Sequence, residues 1–130
     1  MQRAVLALGL LLASPGVADA TEGDARRGER VFQFCFSCHS VDPNEKAKLQ
    51  GPNLARIVGR RAGALEGFEY SEALKAQAAA GLVWTRDALD RYITEPEAVI
   101  PGGRMSFPGI KDAIDRADVL AYLAAEARAP

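Results

Sequence analysis

The stretch Cys35-Phe36-Ser37-Cys38-His39 decides how the rest of this chain is interpreted. It places two thiols two residues apart and an imidazole directly after the second thiol. The 130-residue chain contains no other cysteine and no other histidine. This spacing is typical of covalent haem attachment, in which each thiol adds to one vinyl group and the histidine binds the iron. The motif therefore predicts one covalently bound haem c, attached through Cys35 and Cys38, with His39 as an iron ligand.

Two other kinds of site use similar residues. A zinc ion normally takes four Cys, His or carboxylate ligands, whereas this motif offers three nearly contiguous ones and no second cluster accompanies it. A thioredoxin-like thiol pair is expected within a βαβ pattern, which the loops of this sequence do not show. A haem-free CxxC thiol–disulfide protein is the leading alternative to haem attachment.

Met105 is the only methionine apart from Met1. It ends the irregular segment Pro101-Gly102-Gly103-Arg104-Met105, where glycine allows the backbone to approach a ligand closely. Histidine and methionine are together the axial pair that raises the reduction potential of electron-carrying haems. Met105 is therefore the predicted second iron ligand. The alternative is a methionine that only fills the core, which would leave an open iron suited to gas sensing or weak peroxidase chemistry.

Residues 1–20 have the pattern of a secretory signal peptide. A positive start at Arg3 precedes the apolar run 4–12, and Ala18-Asp19-Ala20 supplies a cleavage signal. The apolar run is too short to span a membrane as a helix. We expect removal of this leader, a mature chain that begins at Thr21, and export to a bacterial periplasm.

Composition restricts the partners and the size of the fold. The chain carries 16 basic and 17 acidic residues, a formal net charge of −1, and this balance argues against a nucleic-acid partner. No later stretch has the length and apolarity of a transmembrane helix. The size suits a single domain over residues 21–130 with one modest core, and a monomer is expected.

The pattern of helix starts and loop residues predicts an all-α fold. The first helix should run to about Phe34, the second to Ala80, and Pro96 should end the third. Residues 42–65 are marked by glycine and proline and are predicted to be a loop. Long loops in a small domain usually have a function, and a haem would supply an apolar surface for them to pack on. The predicted N-caps are Asp24, Ser71, Thr85 and Asp112.

An ordered series of residues around the motif resembles class I cytochrome c, in the group of mitochondrial-type cytochrome c and bacterial cytochrome c2. The resemblance implies a small cytochrome c fold, with short helices and long loops wrapped around one haem. It also implies an electron carrier that shuttles single electrons and is not an enzyme. Beyond the motif, the series consists of 28–32, 51–54, Gly59-Arg60, 67–70, Trp84, Tyr92, Pro96, 100–102, 105–107 and 116–123.

The resemblance also implies roles for residues around the haem. The Pro52 carbonyl would accept a hydrogen bond from the second ring nitrogen of His39 and so fix the orientation of the imidazole. Leu54 would pack on the ring, and Arg60, Tyr70 and Trp84 would hold its propionates. Tyr92 would lie near the Met105 sulfur, and Phe107 would shield the exposed haem edge.

The partners implied by the resemblance are larger redox proteins, for example a bc1-type complex, a terminal oxidase, a reaction centre or a periplasmic dehydrogenase. Proteins of this family often surround the haem edge with lysines. Here Glu97 and Asp112 occupy positions where lysine is common. We therefore expect weaker electrostatic steering than in those proteins and docking that is less sensitive to salt.

Overall fold

The computed structural model describes residues 22–126, in which short helices are connected by long loops. No β-strand occurs within these residues, where a single isolated bridge joins Arg61 and Val83. The predicted all-α class is confirmed. Of the helices in the described range, none has the length and apolarity needed to cross a membrane. The predicted signal peptide lies outside the described residues. The helices are α1 (Ala25–Val31), a 3-10 helix (Phe32–Phe34), α2 (Glu72–Ala79), α3 (Arg86–Thr94), α4 (Pro96–Val99) and α5 (Ala113–Glu126).

The predicted N-caps are all confirmed. At each of these positions a short polar side chain accepts a hydrogen bond from a backbone N–H of the first helical turn, which otherwise has no partner within the helix. Residue type and spacing were therefore enough to predict where four helices begin. The bonds are Asp24 to Arg27 N (2.9 Å), Ser71 to Leu74 N (3.1 Å), Thr85 to Ala88 N (3.1 Å), and Asp112 to Ile114 N and Asp115 N (2.8 and 3.0 Å).

One helix end differs from the sequence prediction, and one short helix was not predicted. The first helix ends at Val31, and the expected extension to Phe34 is a 3-10 turn. The third helix ends at Thr94, before Pro96, as expected. However, Pro96 also begins the short helix α4, which the sequence did not predict. Proline suits the first position of a helix because its missing N–H would have no intrahelical partner there.

The core lies where the N-terminal helix α1 crosses the C-terminal helix α5. The Phe32 ring packs against the Tyr122 ring at a centroid distance of 5.4 Å. Gly28 lies directly against the backbone of Asp118, with no room for a side chain between the two helices. The crossing brings the haem-attachment motif, which follows the 3-10 helix, against the core. Other buried apolar residues are Val31, Ile57, Trp84, Leu89, Ile100, Ile110, Val119, Leu120 and Leu123.

Asp118 is a buried carboxylate that ties α5 to the beginning of α1. Its side chain accepts hydrogen bonds from Asp24 N at 2.6 Å and from Arg27 Nε and Nη2 at 2.6 and 2.9 Å. The residue is 1% exposed, whereas half of the Arg27 side chain reaches solvent. Buried charges persist when they are paired and hydrogen-bonded, so this contact fixes how the two terminal helices meet.

Candidate functional site

The motif forms a tight turn directly after the 3-10 helix. Cys35 N donates to the Phe32 carbonyl at 2.8 Å, and Cys38 N and His39 N both donate to the Cys35 carbonyl at 3.0 Å. Both cysteine side chains are partly exposed. The two thiols and the imidazole are therefore held on one turn by its own backbone hydrogen bonds.

The imidazole of His39 is oriented by a backbone carbonyl. Its Nδ1 lies 2.7 Å from the Pro52 carbonyl oxygen, the hydrogen bond that the resemblance implies. A carbonyl oxygen can only accept, so Nδ1 carries the proton and Nε2 presents a lone pair. Burial lowers the pKa of His39, and the charge of Arg60 lowers it further, although the bond to Pro52 raises it. The ring is thus held neutral, the form in which an imidazole binds a metal.

Gly51 allows this close approach. A Cβ atom at this position would collide with the ring of His39. The Gly51 N–H donates to the Cys38 carbonyl at 2.8 Å, which joins this segment to the motif turn. The sequence showed Gly51-Pro52 only as a loop signal; that a glycine here makes room for the imidazole is visible only in the structure.

Arg60 has a half-buried guanidinium that binds only backbone carbonyls. It donates to Asn53 O at 2.9 Å and to Ala55 O at 3.3 Å, and within residues 22–126 no carboxylate pairs with it. Burial lowers its pKa. A half-buried cation without a counter-ion suits an anionic group such as a carboxylate. That the carbonyls of Asn53 and Ala55 bind Arg60 could not be predicted from the sequence, since any residue type offers a carbonyl.

The aromatic site residues lie close to Arg60. Trp84 N donates to the Arg60 carbonyl at 2.8 Å, and the Trp84 ring lies 4.9 Å from the ring of Tyr92. Trp84 and Tyr70 are buried, and the Tyr70 hydroxyl accepts from Leu65 N at 3.2 Å. Burial raises the pKa of Tyr92, which keeps its hydroxyl protonated. The structure therefore brings Arg60, Trp84 and Tyr92 together.

Leu54 and Phe107 occupy the border between core and solvent. Both side chains pack against the buried cluster, and both are only partly buried. Leu54 N donates to the Ser40 carbonyl at 2.8 Å, which fixes it next to the motif. These residues present apolar surface of the kind that a flat apolar ring would cover.

Met105 lies on a loop that hydrogen bonds hold in place just before the methionine. Before it, Gly103 N donates to the Ile100 carbonyl at 3.0 Å and closes a tight turn. Next to it, Arg104 donates to the Glu69 carbonyl at 3.2 Å. The Met105 side chain is half-buried. The loop location predicted from Pro101-Gly102-Gly103 is confirmed.

These residues fit a covalently attached haem. Two thiols share one turn with an imidazole whose Nε2 presents a lone pair, and a half-buried cation lies nearby without a counter-ion. A thiol–disulfide function fits less well, because burial, together with the neighbouring Cys38, raises the pKa of Cys35 to about 11. Redox-active CxxC thiols have a lowered pKa instead.

Comparison with known proteins agrees with this site. The protein-family model described as cytochrome c matches residues 25–125. The chain belongs to the cytochrome c family. Cytochrome c2 of Blastochloris viridis is 42% identical over 118 residues, which are 91% of this chain and 90% of that protein. Cytochrome c type-1 of Ascaris suum is 46% identical over 110 residues, which are 84% of this chain and 94% of that protein. The solved structure of cytochrome cH from Methylobacterium extorquens superposes with a TM-score of 0.69 at 38% identity, covering 79% of this chain and 99% of that one.

Family membership confirms the cofactor and the class of function. This cytochrome binds one covalent haem c with its iron and is a monohaem electron carrier that serves larger redox partners. It is not an enzyme in its own right. The predicted cytochrome c fold is also confirmed. The haem-free thiol–disulfide interpretation is therefore wrong.

Proposed function

We propose that this chain is a soluble periplasmic electron carrier whose haem iron is ligated by His39 and Met105. The observation that carries the proposal is the hydrogen bond from His39 Nδ1 to the Pro52 carbonyl, because it fixes the imidazole in the tautomer whose Nε2 has a lone pair for a metal. Such outer partners orient a metal-binding imidazole and raise its basicity. The only methionine of the described residues lies on a tied loop, which suits a second ligand.

In this proposal each part of the site has one task. The bound haem supplies the Fe(II)/Fe(III) couple that accepts and releases one electron. Cys35 and Cys38 would hold the ring through thioether bonds, and His39 and Met105 would bind the iron. With both residues as ligands, the iron would have no site open to a substrate, which suits a carrier.

The residues around Arg60 would hold the acidic edge of the haem. Arg60 brings a half-buried positive charge, and Tyr70 and Trp84 are buried beside it as polar-tipped aromatic side chains. Neutralising the propionates inside the protein lowers the cost of burying them. Leu54 would pack on the ring, Tyr92 would lie near the Met105 sulfur, and Phe107 would shield the exposed edge.

Met105→Ala tests the second ligand. We expect haem to stay covalently attached, because the thioether positions are unchanged, while the weak far-red absorption band of methionine–ferric iron ligation disappears. The reduction potential should fall by on the order of 0.1 V, since the axial ligands set haem potentials over a wide range. Visible spectroscopy and a redox titration measure both effects.

The control for this variant is Ser106→Ala, which changes an exposed neighbour on the same loop. It should keep the far-red band and the potential. A Met105→Ala protein with unchanged potential would contradict the ligand assignment. Ready binding of carbon monoxide by the reduced wild-type protein would favour the alternative with an open iron.

We also propose that residues 1–20 are a signal peptide and that residues 21–130 form one domain in the periplasm. The support is the positive start, the short apolar run and the Ala18-Asp19-Ala20 cleavage pattern. Amino-terminal sequencing of the haem-containing protein from the periplasmic fraction of a host with a haem-attachment system should find Thr21 first. Haem protein recovered with the intact leader in the membrane fraction would contradict this proposal.

A further inference from the structure

The side chain of Glu97 makes a contact that the proposed function does not use. Glu97 lies on the short helix α4, and its Oε1 accepts a hydrogen bond from Gly102 N at 2.9 Å. The residues at both ends of α4 are anchored, because Pro96 is buried and Ile100 is 1% exposed. The carboxylate therefore reaches the Met105 loop from a fixed support.

The Glu97 carboxylate binds a backbone N–H, that of Gly102, which is not used in the hydrogen bond that closes the turn. Gly103 N donates to the Ile100 carbonyl at 3.0 Å, and Gly102 has a φ of +75°, the pattern of a type II turn with Pro101 and Gly102 in its centre. In such a turn the N–H of the second central residue takes no part in the closing bond. Glu97 binds this N–H, so the turn is fixed by two hydrogen bonds.

We propose that Glu97 is a positioning residue that holds the Met105 loop in the conformation that keeps the methionine sulfur at the iron. The inference rests on the proposed ligation by Met105. Arg104, directly before Met105, donates a second long-range contact of the loop to the Glu69 carbonyl at 3.2 Å. Without the Glu97 contact, the turn bond from Gly103 N and the contact of Arg104 with Glu69 alone hold the loop before Met105. The open form from which an external ligand enters then becomes more populated.

Ligand exchange on the ferric holoprotein measures this effect. We would mix wild type, Glu97→Ala, Glu97→Gln and Glu95→Ala with imidazole and follow the loss of the far-red methionine–iron band. Loss of one solvent-accessible hydrogen bond should accelerate exchange in Glu97→Ala by about two- to tenfold. Glu97→Gln keeps an acceptor oxygen and should exchange at nearly the wild-type rate. Glu95→Ala removes an exposed charge from the same segment and should also match wild type.

The four proteins separate the possible results. Faster exchange in Glu97→Ala alone supports the inference, provided that its haem content and far-ultraviolet circular dichroism match those of the wild type. Equal rates in Glu97→Ala and wild type overturn it, and so does fast exchange in Glu97→Gln or Glu95→Ala, which would trace the effect to net charge. A wild-type protein without the far-red band would overturn the Met105 assignment and this inference with it.

Discussion

Gly28→Ala is expected to destabilise the folded chain by about 3 kcal/mol or more, the upper range for overpacking a tightly packed contact. A methyl group at this position would collide with the Asp118 carbonyl and press on Cβ of Tyr122. The obstacle is backbone, so no side-chain rotation relieves it and α1 and α5 must move apart. Denaturant unfolding of the holoprotein, followed by circular dichroism, measures the loss.

The control for this prediction is Glu29→Ala, which changes the exposed neighbour of Gly28 on the same helix. Alanine favours helices intrinsically by up to about 1 kcal/mol over glycine, so helix propensity alone predicts that Gly28→Ala is stabilising. A Gly28→Ala protein at least as stable as wild type would show that the two helices can separate at no cost, contrary to the observed packing.

Asp118→Ala is expected to cost about 3 kcal/mol, the lower end of the range for breaking a buried ion pair, because Arg27 is half exposed. The change removes the acceptor for Asp24 N as well as both bonds from the Arg27 guanidinium. Asp115→Ala on the same helix is the matched control and should cost about 0.5 kcal/mol through the helix dipole. Equal losses in the two variants would show that the Asp118 contacts contribute nothing specific.

The same carboxylate gives the stability of the chain a pH dependence. The hydrogen bond from Arg27, which outweighs the opposing effect of burial, holds the pKa of Asp118 below its ordinary value of 3.8. A lowered folded-state pKa stabilises the folded protein above the unfolded-state pKa, and this stabilisation is lost as the pH falls through the folded-state value. The stability difference between wild type and Asp118→Asn should therefore shrink below about pH 4. A difference that stays constant from neutral to acid pH would contradict the shifted pKa.

The helix starts were predictable because an N-cap hydrogen bond joins residues that are only a few positions apart in the sequence. Ser71 and Thr85 each bind an N–H three residues ahead, so residue type and spacing are enough to indicate them. Helix α4 was not predicted, because Pro96 is compatible both with the end of one helix and with the first turn of the next. The proximity of α1 and α5 was not visible either, since the contact of Gly28 with Asp118 joins opposite ends of the chain.

The candidate site also combines residues that the sequence identified with contacts that only the structure shows. Cys35, Cys38 and His39 were identified at once because covalent attachment needs three side chains at a fixed local spacing. The roles of Arg60 and Trp84 came only from the resemblance, and their own residue types would equally suit a surface cation and a core aromatic. The structure brings them together through a backbone hydrogen bond, which no side-chain pattern records.

The sequence by itself determined that this chain carries a haem and that short capped helices and long loops surround it, because those signals lie within a few consecutive residues. Only the tertiary structure decided how the site is tuned. The Pro52 carbonyl orients His39, Gly51 makes room for the ring, and Glu97 holds Gly102 before the methionine. Most of these contacts are made by backbone atoms, which every residue has, so the fold alone decides which of them meet.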